Sequence, residues 1–176
     1  ENTSLSSILT AIFEDEDVVV AACMAVASLS AHPTCSRRFG WDAQLARSLT
    51  SLLLQFKHWN LMTSASWAIL NLCADPKSGN KERLGIVGAG ENLCRGLVQL
   101  TNGHADYLEQ PGFHRLLEYY IWALLNLIIA CTHNQQLVKA LEREHLFEQL
   151  GSARWVKPGV KDKARLVLKI MSRVQL

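Results

Sequence analysis

The segment Ser66-Trp67-Ala68-Ile69-Leu70-Asn71-Leu72 returns almost unchanged as Ile121-Trp122-Ala123-Leu124-Leu125-Asn126-Leu127. In each copy a Trp stands four residues before an Asn, so on a helix the two share a face. An apolar helix that recurs with one polar residue in a fixed place restricts the fold to arrays of similar units. Weaker copies flank the pair: Met24-Ala25-Val26-Ala27-Ser28-Leu29 upstream and Arg165-Leu166-Val167-Leu168-Lys169-Ile170 downstream. The anchors Met24, Trp67, Trp122 and Arg165 are spaced 43, 55 and 43 residues apart. The longer interval holds a turn-rich insertion of the excess size, the 12 residues Thr101–Gly112. A period of about 40–47 residues built of helices indicates a stack of helical repeats.

The rest of the chain is read against that period. Ser4–Phe13 and Asp17–Ser30 are expected helices, the last two of an incomplete first unit. In the second unit, Pro33 opens a short helix that Gly40 stops, and Asp42 caps a middle helix with Leu45, Leu49, Leu52 and Leu53 on one face. The long helix Asn60–Cys73 follows. The third unit repeats the order: a turn at Asp75–Gly79, a short helix Lys81–Val87, a break at Gly88-Ala89-Gly90, a middle helix Glu91–Leu100 and, after the insertion, the long helix Phe113–Ala130. The insertion is expected to be a disordered surface loop. The fourth unit has helices at Gln135–Leu141 and Glu144–Leu150, a stop at Gly151, a turn at Pro158-Gly159 and a last helix Lys161–Val174. The units are therefore about 1–31, 32–74, 75–131 and 132–176, all within one domain spanning 1–176. With no initiator Met and an incomplete first unit, the chain is expected to be a segment of a longer one.

Several function classes lack their chemistry. No H-E-x-x-H, G-x-S-x-G or phosphate-loop pattern occurs, and Gly85-Ile86-Val87-Gly88-Ala89-Gly90 lacks the preceding strand of a dinucleotide site. The expectation is no catalysis, no cofactor, no metal and no small-molecule substrate. Cys23, Cys35, Cys73, Cys94 and Cys131 show no C-x-x-C spacing, and reduced core thiols point to the cytoplasm or nucleus. The longest apolar run, Ile121–Cys131, is shorter than the ~20 residues a membrane span needs. A net charge of +2 is too small to argue for nucleic acid.

The order of short helix, Gly-marked turn and two longer helices resembles the armadillo repeat. So does Ala65-Ser66-Trp67-Ala68-Ile69-Leu70-Asn71-Leu72, set against the family's third-helix motif A-x-W-A-L-x-N-L; Tyr120–Leu127 departs from it only at the first position. The resemblance implies an all-α fold, a right-handed α-α superhelix of about four repeats, the first incomplete. In that family the third helices line a concave groove. Packed helices about 8–10 Å apart and a strand rising about 3.3–3.6 Å per residue would let successive Asn side chains meet a bound peptide about three residues apart. An Asn amide offers donor and acceptor together, and a Trp face grips aliphatic stems or cations.

The expected function is thus a protein-protein interaction module binding an extended partner segment through Trp67, Asn71, Glu118, Trp122, Asn126, Arg165 and Lys169. The importin-α-like alternative, binding basic import signals, implies acidic residues near the Trp slots, and the positions four before each Trp place are where they are sought. Those positions read Val20, Thr63, Glu118 and Lys161, and only Glu118 is acidic. Lys161, Arg165, Lys169 and Arg173 form a basic stripe that would repel a basic cargo. The third possibility is an architectural scaffold in a cytoskeletal or ciliary assembly, with the Asn residues tying repeat to repeat. Replacing Asn71 and Asn126 by Ala separates these readings. Lost partner binding with nearly unchanged thermal unfolding is expected for a groove, and lost stability with unaltered binding for a structural tie.

Overall fold

The computed structural model describes residues 16–75 and 78–175. The expected helix Ser4–Phe13 lies outside them, as does part of the expected turn Asp75–Gly79. Within the described residues the chain forms eleven helices and no strand. They are α1 (Glu16–Ser30), α2 (Pro33–Trp41), α3 (Ala43–Leu52), α4 (Trp59–Leu72), α5 (Asn80–Ile86), α6 (Ala89–Asn102), α7 (His104–Tyr107), α8 (Phe113–Ile128), α9 (Thr132–Lys139), α10 (Glu144–Ser152) and α11 (Pro158–Met171).

Local chemistry explains most boundaries. Pro33 occupies the first turn of α2, where its missing N–H costs nothing. The Asp42 carboxylate accepts from the N–H groups of Gln44 and Leu45, both at 3.0 Å, and caps α3. Gly88, at φ 85°, supplies the left-handed turn between α5 and α6. Two expected stops are corrected. Gly40 lies inside α2 and Gly151 inside α10, both buried. Each leaves room for a side chain of another helix, and neither ends its own. Pro158 likewise opens α11 rather than forming a turn before it.

Helices of like position meet one another. The long helices pack α1 on α4, α4 on α8 and α8 on α11; the short ones pack α2 on α5 and α5 on α9; the middle ones pack α3 on α6 and α6 on α10. Apolar side chains fill the space between these rows. α4 buries Leu61, Met62, Ala65, Ala68, Ile69 and Leu72, and α8 buries Leu116, Leu117, Tyr120, Ile121, Leu124 and Leu127. Tyr120 reaches furthest: its hydroxyl donates to the Leu53 carbonyl, and its ring lies where a Cβ on Gly96 would stand 2.2 Å away.

Each row also carries side-chain amides that donate to backbone carbonyls of the preceding helix in that row, 42 to 56 residues earlier. Asn71 bonds to Ala27 O at 2.8 Å and Asn126 to Leu70 O at 3.2 Å in the long row. Asn80 bonds to Ser36 O at 2.9 Å and Asn134 to Lys81 O at 2.7 Å in the short row, and Asn92 to Thr50 O at 3.0 Å in the middle row. Asn80 and Asn134 also take the carbonyls of Leu72 and Leu127, which end long helices. Both are fully buried, and a Cβ added to Gly40 or to Gly85 would lie 1.8 Å from the respective Oδ1. The end of α8 is closed further by Gln135 on Ile128 O and by the buried Lys81, whose ammonium donates to Ile129 O at 2.7 Å. A cation suits that end of a helix.

The insertion is folded, which corrects the expectation of a disordered loop. α7 carries Tyr107 edge-on to Trp59 at 5.1 Å and His104 stacked on Trp155 at 4.6 Å. Phe113 lies between them, 5.9 Å from Trp155 and 6.2 Å from Trp59. This aromatic cluster joins residues from the second, third and fourth expected units. Its composition explains the misreading: the turn residues dominate the stretch, while two aromatic side chains decide where it sits.

The glycine slots predict a mutant cycle. Gly85→Ala is expected to cost about 1–3 kcal/mol by forcing its Cβ against Asn134. Asn134→Ala is expected to cost about as much by leaving the Leu127 carbonyl at the end of α8 unpaired and removing the tie to Lys81 O. Urea unfolding of the double variant should show less than the summed loss, because removing the amide makes room for the new methyl. Additive losses would mean the two residues do not share one slot.

Candidate functional site

The long helices leave a shallow apolar face. Met24 is 48% exposed and Trp122 40%, while Trp67 is partly buried. Between α1, α4 and α8 the face deepens into a cleft of about 470 Å³. Val20 and Met24 form one wall, Thr63 and Trp67 the floor, and Arg115 and Tyr119 the other wall. Trp67 stacks on Tyr119, with centroids 6.4 Å apart and planes at 19°. Helical spacing sets this wall, since Arg115 and Tyr119 stand four apart on α8.

Trp122 meets a different neighbour. The Lys163 ammonium lies 4.7 Å from the centre of its ring and 3.7 Å from the Glu118 carboxylate. Glu118 and Trp122, also four apart, therefore hold one cation between them. Arg165 turns elsewhere: it donates to Gly151 O at 2.9 Å and to Asp162 at 3.2 Å. Lys169 is exposed on the same helix, Arg173 is exposed just past its end, and Lys161 is half-buried. The face thus brings together Trp67, Glu118 and Trp122, but Lys163 rather than Arg165 stands at Trp122. Tyr119, Arg115 and Lys163 were missed by the sequence reading. The i, i+4 spacing of Arg115 and Tyr119 beside the Trp motif was the available signal.

Asn71 and Asn126 each have one N–H committed. Their acceptors are freed by the way the helices end. Ala31 N–H bonds to Ser28 O instead of Ala27 O, and Ala74 N–H bonds to Asn71 O instead of Leu70 O. The neighbouring Asn supplies the missing donor in each case. Both side chains remain half-exposed, so a second N–H and the Oδ1 oxygen of each amide are left over.

A second hollow of about 410 Å³ lies between α5, α6 and α9. Gly88, Gly90, Leu127 and Val138 line it, with exposed Ile86 and Leu137 at its rim. Nearby, the Arg83 guanidinium covers the exposed Trp41 ring at 3.7 Å.

Burial and pairing shift the ionisation of several other groups. Burial pushes the thiols of Cys23, Cys73 and Cys94 up to about 12, so none is a thiolate near neutral pH. Burial also raises the Tyr120 phenol well above its usual range. In the charged stretch Glu142–His145, a hydrogen bond from Lys139 to Glu144 at 2.6 Å holds that carboxyl below its usual value. Among the described residues no group of three or more His, Cys, Asp and Glu could hold a metal ion. No described helix is long and apolar enough to cross a membrane. Compared with known families and curated proteins, the chain matches no family model and no curated sequence.

The hydrogen bonds of Asn71 and Asn126 change the outcome expected from their truncation. Asn71→Ala and Asn126→Ala should each lower the unfolding free energy by about 1–3 kcal/mol, since each strands a helix-end carbonyl. Asn126→Asp should be no better than Ala, because a carboxylate cannot donate to Leu70 O. Denaturant midpoints equal to that of the native chain would show that the ties carry no stability.

Proposed function

We propose that this chain is a non-catalytic interaction module of the armadillo type, in which about four repeats wind as a right-handed superhelix and bind an extended segment of another protein. The carrying observation is the exposed apolar face of the long helices, with its cleft at Trp67 and Tyr119. An apolar patch of this kind, rimmed by polar residues, is a usual mark of a protein contact. The leftover N–H and Oδ1 of Asn71 and Asn126 stand beside it and can pair with a peptide's backbone C=O and N–H. The amide is then both a tie within the protein and a grip on its partner. Reduced, buried thiols support a place in the cytoplasm or nucleus.

The importin-α-like reading is the weaker form of this proposal, because Lys163 already occupies the Trp122 ring and the Glu118 carboxylate. A purely architectural role in a larger cytoskeletal or ciliary assembly is the second reading. It is favoured by Trp41 at 69% and Ile86 at 73% exposure, both on short helices.

Surface variants distinguish the two. Peptides selected on the native chain from a displayed library should bind about tenfold or more weakly to Met24→Glu and Trp122→Glu, a loss of at least about 1.4 kcal/mol. Trp41→Glu and Ile86→Glu should leave them unchanged. The reverse pattern would move the interaction to the short-helix edge and sink the groove.

A further inference from the structure

We propose that the cleft between α1, α4 and α8 takes a large apolar side chain of an acidic partner segment, with Arg115 pairing with a carboxylate beside that side chain. This inference rests on the peptide groove proposed above and specifies what the groove selects.

The cleft's shape and chemistry carry the first half. Its volume of about 470 Å³ accommodates a bulky side chain with part of its backbone. Trp67 and Tyr119 present stacked aromatic walls, and Val20 and Met24 oppose them. Methionine adapts to ligands of differing shape, and Met24 is half-exposed there. Thr63 and Ser64 add only neutral hydroxyls.

Charge carries the second half. α4 contains no charged residue along its whole length. Among the described residues Arg115 is the one charged side chain lining the cleft. It is exposed, and among the described residues it makes no hydrogen bond or ion pair. Its planar fork matches a carboxylate in two-point geometry. The neighbouring acidic group on α8, Glu118, is neutralised by Lys163 at 3.7 Å. The same ammonium covers the Trp122 ring, so a cationic side chain from a partner would have to displace it. Arg115 therefore sets a cation beside an apolar hollow, and the pair complements an apolar residue flanked by Asp or Glu.

The test is a positional-scanning library of peptides of about nine residues, long enough to cross three long helices at about 3.3–3.6 Å per residue. It is applied to the full chain and to its Arg115→Glu and Arg115→Gln variants, with thermal melts to confirm folding. The native chain should retain peptides carrying Phe, Leu, Ile or Met next to Asp or Glu. Both variants should bind the selected peptide about tenfold or more weakly, the size of one charge-assisted pair. Changing the peptide's acidic residue to its amide should reproduce that loss on the native chain and add little on Arg115→Gln. Retention of basic or charge-indifferent peptides, or unaltered binding to both variants, would overturn the acidic assignment and leave the groove standing. Retention of nothing by the folded native chain would overturn the groove and this inference together.

Discussion

An Asn amide donating to a backbone carbonyl of the neighbouring helix in its row is the contact on which this structure depends. It occurs in every row: Asn71 on Ala27 and Asn126 on Leu70 among the long helices, Asn80 on Ser36 and Asn134 on Lys81 among the short, and Asn92 on Thr50 among the middle. Apolar faces of Leu, Ile and Ala hold helices together without direction. Two such rods can slide past one another by a turn at little cost in buried area. A hydrogen bond to one carbonyl cannot slide, and breaking it leaves a polar group unpaired. The amides therefore set the stagger between neighbours whose apolar surfaces supply the attraction.

At the ends of the long helices the carbonyls that receive these amides are ones the helices themselves leave unused, whereas Ser36 O and Lys81 O lie within α2 and α5. Ala27, Leu70 and Leu127 stand where the chain turns out of a long helix, and the next N–H bonds one residue short. Asn134, Gln135 and Lys81 complete the end of α8 in the same way. Helix termination and unit-to-unit register are thus one event. Gly40 and Gly85 belong to it as well, because any side chain there would occupy the space of an Asn carboxamide.

This arrangement limits what the long-helix face can do. The Asn side chains are partly spent inside the protein, so recognition by side-chain chemistry falls to the residues around them. Those residues divide the face into two regions. At Trp122 the aromatic ring, the acidic group and the cation already satisfy one another. At Trp67 the ring stacks on another aromatic beside an open cleft that Arg115 also lines. Two copies of one sequence motif have become a closed position and an open one.

The Trp-x-x-x-Asn repeat, with the local helix and turn signals around it, was enough to determine an all-helical fold and, α7 apart, the positions of the described helices to within a few residues. Pattern and capping are local, and Asp42 and Pro33 act on their own neighbours. The tertiary structure alone decided the rest. Asn80, Asn92 and Asn134 look like ordinary polar residues until a carbonyl more than forty positions away faces each of them. Gly40 and Gly151 read as breaks because a glycine's local freedom is visible in a sequence, whereas the side chain that needs its missing Cβ is not. Tyr107 and His104 read as part of a loop because turn residues outnumber them, and only Trp59, Phe113 and Trp155 show where they dock. Lys163 rather than Arg165 stands beside Trp122 for the same reason: the two lie about 200° apart around α11, and only the packing of α11 on α8 and α10 shows which of its faces meets α8.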